Sequence, residues 1–573
     1  MQNTKMSDIT LIEEHRFADL PDPDALRRAR MLPPAVETYD IIFDVLCTAD
    51  NEEVIQKIST HLGFQLGYKD QIDAVQMGAD LFSILAPTTS LFNFVINPNN
   101  KRKITIRPGK ECTYTGIPKS LAVPTFHPHI WEKNSDKERG SIFLGGPMSH
   151  HNEQLPLDSF NKLNKVGLRL DNYVLDNERD PYLDKHPQLG EAIRTVFSTF
   201  RDKKFYLTWK SDTAIRQYVD GWLINPQGGD RRKAEINFSK GQVIKDPTWL
   251  KLAATAAAGH DKWTYEKRLE WFDEHYPDFP EAELLDIECA EDPILFRKYV
   301  RTYSEWLENP EKESNVPASS DVTSSGPQIY AALAGCRETA GRCNLIFTGL
   351  CEDSYTHAID RMNEILPPEE RVTNRKNFKK AMVAAIYGSK KAPRDFLSEA
   401  QNQIFPQVMV ELFPGIERLR KLITSCWNPT AARHKWTMPD DVVCDIPVRI
   451  NVDYTITLDH LNDLEYKYRC KQNMPSHRNT PLAPRIIHSI DAYIARQVVL
   501  RADFDVIHVH DRFFALPDNI PKVQQLYREI LAEIAQSNLL SDILSEITGR
   551  YVEVKKDSAD LHVDILASVY AVA

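Results

Sequence analysis

Apolar positions along the chain recur with two periods, and the period changes several times. Strict alternation in "IPVRINVDYTI" and "LEYKYRCKQ" predicts two strands around a short turn, Thr457 to Asn462. Helical spacing predicts helices in "ADNEEVIQKISTHLGF", "PLDSFNKLNKVGLRLDNYVL" and "LGEAIRTVFSTFRD", over residues 247–275 and 293–308, and through most of 326–425. "RKITIRP" and "KKFYLTWKSDTAIRQYVDGWLINPQGGD" read as strands, the second ending in a turn. "GIPKSLAVPTFHPHIWEKNSDKERG" reads as extended chain or loop, and "ENPEKESNVPASSD" as a polar loop. A helix over about 487–501, an apolar hairpin in "VIHVHDRFFALP" and a helix over about 519–547 follow. The closing "DLHVDILASVYAVA" is apolar, which predicts a docked segment. The sum is an α/β (α+β), mostly helical fold.

The 573 residues are enough for two to four domains. At 42% hydrophobic and 26% charged residues, the chain has a globular composition, and no apolar run is long enough to span a bilayer. The opening "MQNTKMSDITLIEEHRF" lacks a signal core and is too acidic for a mitochondrial transit peptide, so the protein is expected to stay where it is made. Nine scattered cysteines include no CxxC pair, and Cys336, Cys343 and Cys351 match no common zinc spacing. Reduced thiols are expected. The net charge of −11 argues against a protein that coats nucleic acid. Yet Arg371 to Arg394 holds eight Lys/Arg and no Asp/Glu. Such a run is a footprint for phosphates or a solvated helix face.

Within that run, Arg375, Lys379 and Tyr387 lie at i, i+4 and i+12. On a helix Lys379 falls ~40° and Tyr387 ~120° round from Arg375, so all three share one broad face. Two fixed cations a turn apart can clamp a polyphosphate. Tyr387 can face a base or sugar, with Gly388 at the helix exit. In "SSDVTSSGPQIYAAL", Asp321 precedes a small-residue turn and a helix starting near Pro327, and Gly326 allows backbone to approach a substrate. Asp321 alone reads as a metal ligand or as a cap. Asp511 sits at the tip of an apolar hairpin, where an unpaired carboxylate costs several kcal/mol. Taken alone, His508, His510 and Asp511 suggest a transition-metal site. Two distant carboxylates plus a cationic helix are instead the parts of a two-metal phosphoryl-transfer site.

These segments resemble the single-subunit, phage- and mitochondrial-type DNA-dependent RNA polymerase family. "DVTSSGPQ" resembles its motif A, "RKNFKKAMVAAIYGSKK" its motif B and "HVHDRF" its motif C, in the family's order. "EDSY" places Tyr355, "PRIIHSIDA" places His488, "DTAIRQYVDGWLINPQGGD" places Asp212 and Arg216, and "DKWTYEKRLEWFDEH" places Lys262. The likeness covers roughly residues 120–573, including an apolar C-terminal foot. It implies a right-hand palm–fingers polymerase with a reduced thumb. Two Mg²⁺ ions would be held by Asp321, Asp511 and the Val322 backbone. Arg375 and Lys379 would hold the incoming triphosphate, with Arg216, Lys262 and Tyr355 in the nucleotide site. Tyr387 would close the pocket, and His488 would contact the ribose 2′-hydroxyl. Gly326, Gln328, Gly388 and His510 would support the site. The implied partners are a DNA template, NTPs and nascent RNA, with no membrane.

The implied organisation is a reduced N-terminal domain (1–115), a connector and reduced thumb (116–202), a first palm part (203–349), fingers (350–484) and a second palm part with the foot (485–573). A specificity-type hairpin (446–472) in the fingers offers Arg449, Lys467, Arg469 and Lys471 to DNA, or is a solvated β-hairpin. The sequence departs from the family at Ile215, in place of the glycine before the arginine, and at the polar Ser319 and Ser320. It departs again at Arg512, in place of a small polar residue, and at Ala392, in place of an aromatic. The short N-terminal part implies a minimal phage enzyme in a bacterial host's cytoplasm. It would need single-stranded template, or a single-stranded-DNA-binding or activator protein. The competing readings are an A-type DNA polymerase, a primase-like enzyme and a non-catalytic nucleic-acid-binding relative.

Overall fold

The computed structural model describes residues 41–42, 44–46, 53–86, 92–96, 104–108, 122–145, 149–185, 189–276, 290–389, 391–458, 464–478 and 482–573. The start of the first expected helix, the hairpin turn and Lys390 lie outside the described residues. The chain divides into two compact units. One comprises residues 1–123, 179–199 and 449–473, the other 124–178, 200–448 and 474–573.

In the first unit, helices Ile55–Gln65 and Gln71–Leu85 pack backbone to backbone. A β-carbon at Gly63 would fall 2.3 Å from the Ala74 carbonyl oxygen, and one at Gly78 would fall 2.2 Å from that of Ser59. Only glycine allows this approach. The second helix begins at Asp70, whose carboxylate accepts from the Ile72 and Asp73 amides at 2.8 and 3.3 Å. The expected hairpin is present as Arg449–Leu458 paired with Leu464–Asn473, Tyr454 opposite Tyr468. It starts at Arg449 because Ile446 belongs to the preceding strand, Val443–Pro447, in the second unit. Period two buries Ile456, Leu458, Tyr466, Tyr468 and Cys470, and exposes Asn451, Thr455, Lys467, Arg469 and Lys471. The hairpin packs against helix Gln71–Leu85, and Gln56 Nε2 donates to the Arg469 carbonyl at 2.5 Å.

The second unit is built round a three-stranded antiparallel sheet, Ala318–Asp321, Arg512–Ala515 and Ile507–Val509, with the Arg512 strand central. Helices Ser325–Ala334, Leu482–Arg501 and Ile520–Gln536 pack on one another beside it. The apolar closing residues dock here: Tyr570, Ala571, Val572 and Ala573 are buried, and Ala573 exchanges backbone hydrogen bonds of 2.9 and 3.2 Å with Asp321.

Three helical expectations are corrected. Between helices Leu157–Asn164 and Asn172–Asn177 the chain forms a strand, Leu168–Leu170, paired with Ile236–Phe238. Leu168 and Leu170 are buried on either side of exposed Arg169, so alternation wins over helical period there. The helix over 247–275 is two, Thr248–Ala257 and Tyr265–His275, with Gly259 at φ +97° between them. The last long helix breaks between Gln536 and Leu539. There the Lys556 ammonium donates to the Ile534 and Ser537 carbonyls at 3.4 and 2.5 Å, satisfying acceptors the helix end leaves open.

Candidate active site

Asp321 ends its strand and Asp511 occupies the two-residue turn between the other two, so the ladder itself brings the two carboxylates together. Asp321 pairs in register with Arg512, and the Val322 amide donates to the Asp511 carbonyl at 3.3 Å. His510 takes the first turn position at φ +58°, a left-handed conformation costly for a residue with a β-carbon. Burial first, then the charges of Asp321 and Asp491, push the Asp511 carboxyl well above the usual carboxylate range. This is a concentration of negative charge that a hard cation relieves.

A cavity of about 270 Å³ opens on Asp321, Val322, Gly326, Asp511, Lys262, Tyr355, Lys379 and Tyr387. The cationic side is the helix Arg375–Ile386, capped by Asn374, whose side chain accepts from the Asn377 amide at 3.0 Å. Tyr387 follows the helix, and Gly388 at φ +89° turns the chain away. The Arg375 and Lys379 cations lie 5.6 and 5.5 Å from the Tyr355 ring centroid, so the ring backs both. Arg375 is held at 2.6 Å by Asp353, which also caps the Tyr355 helix through the Tyr355 and Thr356 amides. Lys262 pairs with Asp261 at 3.0 Å. Burial opposes its charge, but Asp261, Asp321 and Asp353 outweigh that and raise its pKa.

Behind the cavity, Tyr387 meets His488 at 4.9 Å between ring centroids. Burial and the Arg216 charge lower the His488 pKa to about 4, so the imidazole is neutral at pH 7. Helix Leu482–Arg501 starts earlier than its periodicity predicts, and it carries His488 and Asp491 one turn apart. Asp491 accepts from Ser325 Oγ at 2.7 Å. Gln328 is buried and fully engaged: Nε2 donates to the Cys343 and Ala571 carbonyls at 2.9 and 3.0 Å, and Oε1 accepts from the Tyr527 hydroxyl at 3.0 Å. It ties the helix after Asp321 to the docked closing segment.

A family model described as DNA-dependent RNA polymerase matches residues 245–392, the stretch carrying Lys262, Asp321, Tyr355, Arg375, Lys379 and Tyr387. The matches support a likeness to the single-subunit, phage- and mitochondrial-type RNA polymerases. It is 22% identical over 507 residues to a probable DNA-directed RNA polymerase of Gelasinospora sp. (strain G114), covering 76% of this chain and 59% of the relative. To the mitochondrial DNA-directed RNA polymerase 1 of Arabidopsis thaliana it is 22% identical over 409 residues, 62% of this chain and 42% of the relative. To the DNA-directed RNA polymerase of Pseudomonas phage phiKMV it is 29% identical over 190 residues, 30% and 23% of the two chains. The chain thus spans at most about three-fifths of the length of these relatives.

Other expected site residues are not among those that line the cavity. Arg216 pairs with Asp212 at 2.9 Å and lies over the Tyr218 ring, on the His488 side. Arg449, Lys467, Arg469 and Lys471 fall in the other unit, where Arg469 pairs with Asp453 at 2.6 Å. His508 stacks on Trp209 at 5.5 Å and contacts Gln217 at 3.1 Å. His510 packs on Tyr218 at 5.1 Å, so the two histidines face different neighbours. The polar Ser319 and Ser320 are accounted for: Ser319 accepts from the Tyr299 hydroxyl and Ser320 from Gln524 Nε2, each at 3.3 Å. Asp353 and Asp491 lie within "EDSY" and "IIHSIDA" but, like Asp292, are not singled out by the sequence, since each acquires its role through a partner distant in the chain.

Proposed function

We propose that the chain synthesises RNA from NTPs on a DNA template. The observation that carries this reading is the shared cavity of Asp321, Asp511, Lys379 and Tyr387, drawn from three separate segments. The donor set fits Mg²⁺: two carboxylates and the Val322 carbonyl are hard oxygens, and Asp511 is buried beside other acids. Two bound Mg²⁺ ions would supply the charge that lowers the cost of 3′-oxygen attack and pyrophosphate departure. The chain's own residues then bind and orient. Arg375 and Lys379 hold the triphosphate as one clamp, stiffened by the Tyr355 ring, and Lys262 adds charge from the cavity lining. Tyr387 covers the sugar and base. Neutral His488 offers a hydrogen bond to the ribose 2′-hydroxyl without adding charge.

The hairpin fits a DNA-reading role because its buried face is satisfied inside its own unit, leaving Lys467 and Lys471 exposed. The reading includes poor duplex opening, with synthesis on single-stranded template or with a helper protein. The phage relatives support a phage enzyme acting in a bacterial host. Among the described residues no helix is long and apolar enough to cross a membrane. Run-off synthesis with Mg²⁺ and four NTPs on matched single- and double-stranded promoter templates tests the reading. RNA from the single-stranded template well above the duplex is expected. Equal output sinks the helper requirement, and no product on either template sinks RNA synthesis.

A further inference from the structure

Arg512 follows Asp511 directly and reaches two acids at once. Its Nε donates to Asp321 Oδ2 at 3.0 Å, and its Nη1 to Asp292 Oδ2 at 3.1 Å. Its contacts with Asp321, from Nε and Nη2, both fall on that one oxygen. Asp292 precedes the helix Pro293–Glu308 but does not cap it. Asp230 does, accepting from the Ile294 and Leu295 amides at 2.7 and 2.9 Å. The Asp292 carboxylate is thereby released to face Arg512, with the Lys233 ammonium at 3.3 Å on the same oxygen. A guanidinium cannot shed its charge, and a divalent ion between Asp321 and Asp511 must share Asp321 with it. Asp292 offers Arg512 a partner that it keeps when Asp321 is taken.

The geometry points to Arg512 as an internal cation that competes with divalent metal for Asp321, with Asp292 as the acceptor that retains it once metal binds. This rests on the reading that Asp321 and Asp511 hold the metal. Arg512 is thus a positioning residue. In the metal-free protein it neutralises Asp321 and keeps the two carboxylates from repelling each other. In the loaded protein the Arg512–Asp292 pair draws the guanidinium aside. The divalent-ion concentration at which the site fills is then set by the balance between Asp321 and Asp292 for one side chain.

The test is Mn²⁺ binding to the full chain, read from the loss of the free-ion electron paramagnetic resonance signal, which needs no turnover. Arg512→Gln should bind Mn²⁺ about tenfold more tightly, since a fixed competing charge is gone. Asp292→Asn should bind several-fold more weakly, because Arg512 then has Asp321 as its carboxylate partner. The double variant should behave like Arg512→Gln. Melting in EDTA gives a second readout: Arg512→Gln should be less stable than the parent without metal, and the gap should close with Mn²⁺. Unchanged or weaker binding in Arg512→Gln overturns the proposal, as does tighter binding in Asp292→Asn. Asp511→Asn separates the two levels. If it binds Mn²⁺ like the parent, the two-carboxylate reading itself fails. If it loses binding while Arg512→Gln matches the parent, only the role of Arg512 fails.

Discussion

A β-carbon on Gly326 would stand 3.0 Å from the hydroxyl oxygen of Tyr387 and 3.3 Å from its Cζ. The missing side chain at Gly326 is therefore what gives the tyrosine its place over the cavity. Gly326 lies in the helix Ser325–Ala334, where alanine is the better helix former by roughly 1 kcal/mol. Gly326→Ala should thus leave the melting temperature equal or higher while shifting Tyr387 by a few tenths of an ångström. We expect kcat/KM for NTPs to fall about tenfold, against thermal melts that show no loss. A parallel fall in stability and activity would mean that the glycine serves packing alone.

The contact of Tyr387 with His488, 4.9 Å between ring centroids, predicts that sugar selection is shared by both rings. Tyr387→Phe removes the hydroxyl and keeps the ring. His488→Ala removes the neutral imidazole. Each should narrow the preference for NTPs over dNTPs by about 10- to 100-fold, worth roughly 1–3 kcal/mol of lost discrimination. Competitive single-nucleotide incorporation measures it. If His488→Ala lowers the rates for both nucleotides equally, His488 does not read the sugar.

His508 gives a stability prediction with a definite sign. Burial, then the neighbouring His510, lowers its pKa to about 4 from the ordinary 6.5. Between those two values the unfolded chain takes up a proton that the folded chain refuses. Stability therefore falls as pH falls through that window and flattens below it. His508→Asn removes the titration and keeps a polar partner for Gln217. Its loss of stability between pH 7 and 4.5 should be smaller than the parent's by roughly 2–3 kcal/mol, read from urea midpoints. Identical slopes would rule out a neutral buried His508.

The hairpin separates two kinds of lysine effect. Lys467→Gln or Lys471→Gln should leave stability within about 0.5 kcal/mol, since both are exposed. An ammonium that sits on a DNA phosphate should, once removed, lower the salt slope of DNA binding by about 1 and weaken all sequences alike. An ammonium that sits on a base edge should instead, once removed, relax preference at one position. Filter binding over a salt series and a set of sequences distinguishes them. No change in either quantity would leave the hairpin as solvated structure.

Much of the site was legible because its chemistry sits in short local patterns. Arg375, Lys379 and Tyr387 share a face by helical arithmetic alone, and an aspartate at an apolar hairpin tip announces Asp511. Their meeting with Asp321 came from resemblance, since no periodicity ties residue 321 to 511. The bridge from Arg512 to Asp292 was not legible: 220 positions separate them, and Asp292 looks like any helix-preceding aspartate. The strand Leu168–Leu170 was hidden for a related reason. Its three residues are too few to overrule helical spacing on both sides until Ile236–Phe238 supplies a partner. Asp491 lies one turn past His488 in the helix, but nothing in the sequence pairs it with Ser325.

The central claim is that Asp321 and Asp511 act together in making RNA. It is tested most directly by primed incorporation on a single-stranded DNA template with Mg²⁺, comparing the parent with Asp321→Asn and Asp511→Asn while template binding is followed by fluorescence anisotropy. The parent should extend with NTPs in preference to dNTPs. Each variant should lose at least about a thousandfold in rate, because the two groups work as one unit, while template affinity stays within about twofold, as neither carboxylate favours a phosphate backbone. Near-parental synthesis by either variant, or DNA made in preference to RNA by the parent, would contradict the account.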